Sequence, residues 1–303
     1  MIATSVDELF DAAFLGRLES LSLLARQLVR SRHRSDRRSV QRGASVEFAE
    51  YRPFVSGDDW RYIDWNAFAR WRQLVLKLFV EEEDLHVHLL LDCTVSMDWG
   101  TPVKFDYARQ LIAGLAYITL ANLDRAAVVP LAAEDYQLWP PARGRHRFLQ
   151  LLRYLARCPL ADAPTRLEDA ARRWVATQPR RGMAIWVGDL FDADLGDALR
   201  ALDRLRYSRH ELAVIQIRDP AESQAGEPGE YEVEDCETGA VEKVIVDAGM
   251  ARRYRERFAD YQASILRYCR AYQIPLVQVS TDIGVPELIT RSLMAGGFVK
   301  RGR

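Results

Sequence analysis

The residues best suited to chemistry stand in "LLLDCTVSMDWG", residues 89–100. An unbroken apolar run stops at Asp92, and Thr94, Ser96 and Asp98 follow at spacings of two. Two later loops carry the same kind of oxygen, Thr165 in "DAPTRLEDA" and Asp189 in "WVGDLFD". Carboxylates with hydroxyls are hard donors that suit Mg2+ or Mn2+ in a near-octahedral shell keeping some water. Neither imidazole nor thiolate is needed. Each piece also has a local use. Asp92 and Ser96 can close a turn or cap a helix. Thr165 with Glu168 has the form of a capping box, and "GDLFD" can be a plain strand-to-helix turn.

A second polar cluster lies upstream in "VSGDDWRYIDW", residues 55–65, where Asp58, Asp59 and Asp64 alternate with Arg61 and aromatics. The expectation is that these carboxylates make hydrogen bonds and ion pairs anchoring the N-terminal segment to the domain that follows. A second recognition surface is the alternative, since polar clusters on loops are often functional. His86 and His88 share one face of a strand, as a metal-binding pair would. They lie roughly 20 and 13 Å, respectively, along the strand from Asp92 at ~3.3 Å per residue, so they read as sheet-face histidines. The chain has no G-x-S-x-G serine elbow and no glycine-rich loop ending in Gly-Lys, which removes the serine-hydrolase and P-loop readings.

These oxygens need elements to hold them. Residues 6–30 read as one amphipathic helix, with Leu9, Phe10, Phe14 and Leu18 at helical spacing and Ser5/Glu8 as its capping box. The arginine-rich stretch after it, "RQLVRSRHRSDRRSVQRG", reads as a solvated linker or a docking segment for an acidic partner. "VSGDDW" is a turn signal, and "LVLKLFV" a strand. From Leu85 onward apolar strand-like runs alternate with helical ones: "LHVHLLLD", 104–121, "AAVVPLA", two helices, "MAIWVGD", 194–206 and "HELAVIQIRD". A hairpin near 230–246, a helix at 249–272 and the strand "IPLVQVS" follow. Such alternation implies a mainly parallel α/β sheet covered by helices on both faces, with ligands bound beyond the carboxyl ends of its strands. The expected division is an N-terminal region, 1–83, and an α/β domain, 84–303.

With 303 residues, 49% hydrophobic, there is material for a large core. A net charge of −1 argues against binding nucleic acid or an acidic membrane by bulk electrostatics. The four cysteines are scattered without a C-x-x-C pair, which fits reduced thiols better than a disulfide framework. There is no basic-then-apolar signal segment and no apolar stretch of ~20 residues. A soluble, cytoplasmic protein is expected. Lysine occurs only at Lys77, Lys104, Lys243 and Lys300, arginine supplying every other basic side chain of that kind.

At these residues the chain resembles a von Willebrand factor A-like domain, a Rossmann-like fold whose metal-ion-dependent adhesion site is D-x-S-x-S, then a loop Thr, then a loop Asp. Asp92, Thr94 and Ser96 match the first element with Thr for the first Ser, Thr165 the second and Asp189 the third. The upstream segment also resembles the bacterial family called domain of unknown function 58. Its pattern stands here as Gly57, Asp58, Asp59, Arg61, Ile63, Asp64, Trp65, Asn66, Ala69 and Arg70. What the resemblance implies is an N-terminal helix and extended segment packed on an α/β domain that binds Mg2+ or Mn2+. It further implies a protein-interaction module, not an enzyme: an adaptor or co-chaperone-like partner of a MoxR-type AAA+ ATPase.

The rival is a Mg2+-dependent phosphohydrolase of the haloacid dehalogenase type, which also uses a strand-end Asp, a later Ser/Thr and a G-D-x-x-x-D-like motif. Position 94 is threonine, which cannot act as the carboxylic general acid expected there. No lysine lies between Lys104 and Lys243 to steady a phosphoryl group.

Overall fold

The computed structural model describes residues 2–18, 39–41, 47–81, 85–132, 136–161, 166–177, 179–192, 194–235 and 239–294. The chain forms two compact units, Met1–Arg26 with Leu85–Arg303, and Gln27–Asp84.

In the larger unit the helix expected over 6–30 is interrupted. α1 spans only Val6–Leu9, capped by Ser5 and Glu8 as the sequence suggested. Phe10 then leaves the helix, and Asp11 restarts it by accepting a hydrogen bond from Phe14 N at 2.6 Å. α2 is helical over its described part, 12–18. Residues 19–38, with most of the arginine run, lie outside the described residues. The side chains of Leu9, Phe10, Phe14 and Leu18 are buried in the main core. Residues 1–26 thus join the α/β unit, and the boundary expected at 83/84 falls differently at the N-terminal end. Polar contacts add to this seat: Arg109 Nη2 donates to Ala3 O at 2.6 Å, and Gln110 Nε2 to Leu9 O at 2.7 Å.

The apolar runs form β4 (His86–Asp92), β5 (Arg125–Leu131), β7 (Met183–Gly188), β8 (Glu211–Arg218) and β11 (Leu276–Ser280). With β6 (Trp139–Arg143) they make a six-stranded sheet of order β11-β8-β7-β4-β5-β6. All pairings are parallel except that of β6 with β5. β6 was not foreseen because "WPPAR" carries two prolines, which cannot donate to a ladder. An edge is where a strand tolerates them, and β6 is an edge.

The connections are α4 (Lys104–Ala121), α5 (Phe148–Arg157), α6 (Leu167–Ala176), α7 (Leu195–Tyr207) and α8 (Ala248–Ala271), and α9 (Val285–Met294) follows β11. Side chains alternate along β4. Leu89 and Leu91 face one apolar layer shared with α4, α5 and the N-terminal residues. Leu90 faces another built from α6, α7 and α8. Burial of each such side chain stabilises the fold by ~1.5–3 kcal/mol. The fold is the expected α/β architecture, a mainly parallel sheet with helices on both faces. Outside the sheet, β9 (Gly229–Glu234) and β10 (Val241–Val246) make the expected hairpin.

The smaller unit is a three-stranded antiparallel sheet of order β1-β3-β2, from Ser39–Gln41, Val75–Glu81 and Glu47–Pro53, with a short helix α3 (Trp65–Trp71).

Candidate metal centre

From β4 the chain runs to β5 and β6 on one side, and only afterwards to β7, β8 and β11 on the other. The direction therefore switches between β4 and β7, the place where open α/β sheets bind ligands. Leu91 pairs with Val187 across these strands. Asp92 therefore stands beside Gly188, and Asp189 follows at the same edge.

Asp92 is wholly buried. Its Oδ1 accepts from Thr94 N at 3.1 Å and from Thr94 Oγ1 at 2.7 Å. Thr94 Oγ1 in turn lies 2.9 Å from Ser96 Oγ. These bonds close the turn into a 3-10 segment, Val95–Met97, so the local role of Asp92 is real. It uses one oxygen only. Asp92 Oδ2 is buried and has no hydrogen-bond partner among the described residues, an arrangement that costs ~1–3 kcal/mol, more for a charged group. Gly188 leaves room for that oxygen, because a Cβ there would lie 2.4 Å from it. Burial, and then the neighbouring Asp189 charge, push the Asp92 carboxyl up to about 7, against the Thr94 hydrogen bonds and Lys104, which hold it down.

Asp189, also wholly buried, has both oxygens engaged. Oδ1 accepts from Phe191 N at 2.9 Å, and Oδ2 from Lys104 Nζ at 2.6 Å. Lys104, the first residue of α4, is 1% exposed and also pairs with Glu222. Burial alone would lower the Lys104 ammonium, but the Asp189 and Glu222 carboxylates hold it above its ordinary value. Burial raises the Glu222 carboxyl in spite of Lys104. Further along the edge, Asp219 Oδ2 accepts from Thr281 Oγ1 at 2.9 Å and its Oδ1 from Ala221 N at 2.9 Å. Asp219 and Thr281 each stand one residue past a parallel strand, as Asp189 does.

Thr165 lies outside the described residues. The helix it precedes is capped from a distance, with Leu167 N donating to Asp192 Oδ2 at 3.0 Å. The sequence reading missed Lys104 and Glu222. Lys104 did leave a signal, as one of four lysines in an arginine-rich chain. Glu222, in an ordinary "DPAES" capping box, left none.

In the smaller unit the motif carboxylates serve local structure. Asp58 pairs with Arg52 at 2.5 Å and accepts from Val55 N, across the turn where Gly57 takes φ +104°. Asp59 caps Trp60–Tyr62 and pairs with Arg61 at 2.7 Å. Asp64 caps α3 through Asn66 N and Ala67 N and accepts from Tyr51 Oη at 2.9 Å. These bonds fall inside residues 51–67. Trp60, Trp65 and Trp71 are exposed, and so is Arg70 in the last turn of α3. At the opposite end of the large sheet, His88 stacks with His210 at 5.1 Å and meets Trp174 edge-on, while its Nε2 lies 2.8 Å from Arg180 O. His86 and His88 are buried sheet-face residues.

Among the described residues no three His, Cys, Asp or Glu side chains form a metal cluster. What stands at the β4/β7 edge is a mixed set of hard oxygens. Asp92 Oδ2, without a partner among the described residues, and the Thr94 and Ser96 hydroxyls are the donors that would suit a Mg2+ or Mn2+ ion, and Asp189 beside them is held by Lys104.

Among similar proteins, uncharacterized proteins Mb1516 of Mycobacterium bovis and Rv1480 of Mycobacterium tuberculosis are each 26% identical over 280 residues, covering 90% of this chain and 86% of theirs. MAV169 of Mycobacterium avium is 31% identical over 150 residues, 47% of this chain and 84% of that one. Among solved structures, the conserved hypothetical protein BatB of Bacteroides thetaiotaomicron aligns at a TM-score of 0.41 with 14% identity, over 71% of this chain and 100% of that one. Manganese-loaded TRAP of Plasmodium vivax aligns at 0.30 with 15% identity, over 44% and 57%. The family described as "Protein of unknown function DUF58" matches residues 50–265. That span takes in the GDD/IDW segment, the Asp92 cluster, Lys104, Asp189 and Glu222, and the chain belongs to the DUF58 family.

Proposed function

We propose that this protein is a metal-dependent protein-interaction module and not an enzyme, acting as an adaptor or co-chaperone-like partner of a MoxR-type AAA+ ATPase. The observation that carries the reading is the buried Asp92 Oδ2, without a partner among the described residues, beside the Thr94 and Ser96 hydroxyls at the switch point of the sheet. A Mg2+ or Mn2+ ion there would satisfy that oxygen and keep coordination positions toward solvent. A carboxylate from a partner can fill one of them, a short charge-assisted contact inside an otherwise modest interface. Exposed Trp99, three residues past Ser96, offers apolar area beside it. The ATPase partner comes from the family resemblance.

One observation favours the phosphohydrolase reading: a lysine does reach the site, since Lys104 touches Asp189. The argument from a missing lysine therefore falls. The argument from Thr94 stands, because no carboxylic acid follows Asp92 by two residues.

One comparison separates the two readings. The purified protein is tested for retention of the MoxR-type ATPase in Mg2+ and in EDTA, and for phosphate release from a panel of phosphoesters. The expected result is Mg2+-dependent retention, lost in a folded Asp92→Ala variant, with no turnover. Turnover above the no-enzyme control that Asp92→Ala abolishes would overturn the module reading.

A further inference from the structure

We propose that Lys104 is a built-in cation of this site: its ammonium holds Asp189 while no divalent ion is bound, and yields that carboxylate to the ion while keeping Glu222. This rests on reading the oxygen cluster as a divalent-cation site.

Three features carry it. The first is charge. Lys104 joins Asp189 and Glu222, and Asp92, buried at the same sheet edge, feels the charges of both Asp189 and Lys104; among the described residues Lys104 is the cation that touches this group. With all three ionised, as a bound cation would favour, three carboxylates against one ammonium are short of two positive charges in a place where uncompensated charge is costly. A single divalent ion supplies both. Asp219, next along the edge, is served by neutral donors from Ala221, Thr281 and Thr101.

The second is valence. Asp189 Oδ1 accepts from Phe191 N and Oδ2 from Lys104 Nζ, so an ion ligated by Asp189 meets a fixed amide at one oxygen and a like charge at the other. A divalent ion at Oδ2 would repel the ammonium held on the same oxygen, so direct ligation favours the loss of that donor. The Phe191 amide is fixed by the turn that Asp189 itself begins. The ammonium ends a stem of four carbons with a second acceptor, Glu222, already in contact. The lysine is the donor that can leave.

The third is residue choice. Arginine supplies nearly all the basic side chains of this chain, yet this buried position carries a lysine. A compact ammonium on a flexible stem can turn from two acceptors to one, whereas a planar guanidinium fork fixes its partners.

The test is a titration of Mn2+ into the metal-free full chain, read by calorimetry, for wild type, Lys104→Met and Asp92→Ala. In parallel, the wild-type Lys104 ammonium resonance is followed by NMR during a Mg2+ titration. Removing the competitor should tighten Mn2+ binding about tenfold or more, given the usual strength of charged hydrogen bonds. The ammonium resonance should shift with the same midpoint as Mg2+ binding. Should Lys104→Met not fold, the NMR arm decides alone. Wild-type binding that is lost in Asp92→Ala, with an unmoved Lys104 resonance or unchanged Lys104→Met affinity, overturns the role of Lys104 and leaves the metal site standing. Absence of saturable wild-type binding, or full affinity in Asp92→Ala, overturns both.

Discussion

At the scale of single residues, the site is shaped as much by an absent side chain as by the charged ones. Gly188 is the ladder neighbour of Asp92, and a Cβ there would meet Asp92 Cβ at 2.3 Å and Oδ2 at 2.4 Å. Gly188→Ala should therefore push the Asp92 carboxylate away and strain two central strands. The expected outcome is a loss of roughly 1–3 kcal/mol in stability, as for other overpacked sites, together with weakened Mn2+ binding. Denaturant unfolding and calorimetry check the two parts. Asp92, Thr94, Ser96 and Asp189 were readable from the sequence because their types, order and position after apolar runs all pointed one way. The partnership of Asp189 with Lys104 and Glu222 was not, since it joins residues 85 and 118 positions apart in the chain.

At the scale of elements, the opposite edge of the sheet holds a second buried polar group with a different consequence. The starts of β4 and β8 bring His88 and His210 face to face, with the α6 residue Trp174 against both rings. His210 is buried, and neither ring nitrogen has a hydrogen-bond partner among the described residues. Burial first, and His88 second, lower its pKa from 6.5 to about 4. The sign follows from the neutral form being the one that folds. Stability is complete above the unfolded value near 6.5 and is lost as pH falls toward 4. Between pH 7 and pH 4.5 this amounts to roughly 2–3 kcal/mol. Unfolding free energies at the two pH values should fall by that much more in wild type than in His210→Phe. Elements with strong apolar periodicity were legible in the sequence, with α4, β5 and β8 found within a residue or two. β6 was hidden by its prolines. The break at Phe10–Asp11 was hidden because a capping aspartate inside an apolar period leaves the period intact.

At the scale of the whole molecule, the unit that carries the Asp92 oxygen cluster is assembled from two separated stretches, Met1–Arg26 and Leu85–Arg303. Phe10 is 2% exposed in the core that α4 and α5 share. Phe10→Ala should cost ~3–5 kcal/mol, the range for a large aromatic lost from a packed core. A melt close to that of wild type would mean the N-terminal residues only rest on the unit. The sequence placed residues 1–83 together because it offers proximity along the chain but no measure of which apolar stripe meets which. Among the described residues no helix is long and apolar enough to cross a membrane. Synthesis is where the separation of the two stretches matters most. A ribosome makes Leu9, Phe10, Phe14 and Leu18 well before α4, whose Gly114 lies against Leu18. At ~5–20 residues per second, that apolar stripe waits on the order of ten seconds for its seat. During that interval the nascent chain offers a sticky segment to any holdase near the exit tunnel, and the larger unit cannot close until most of α4 has emerged.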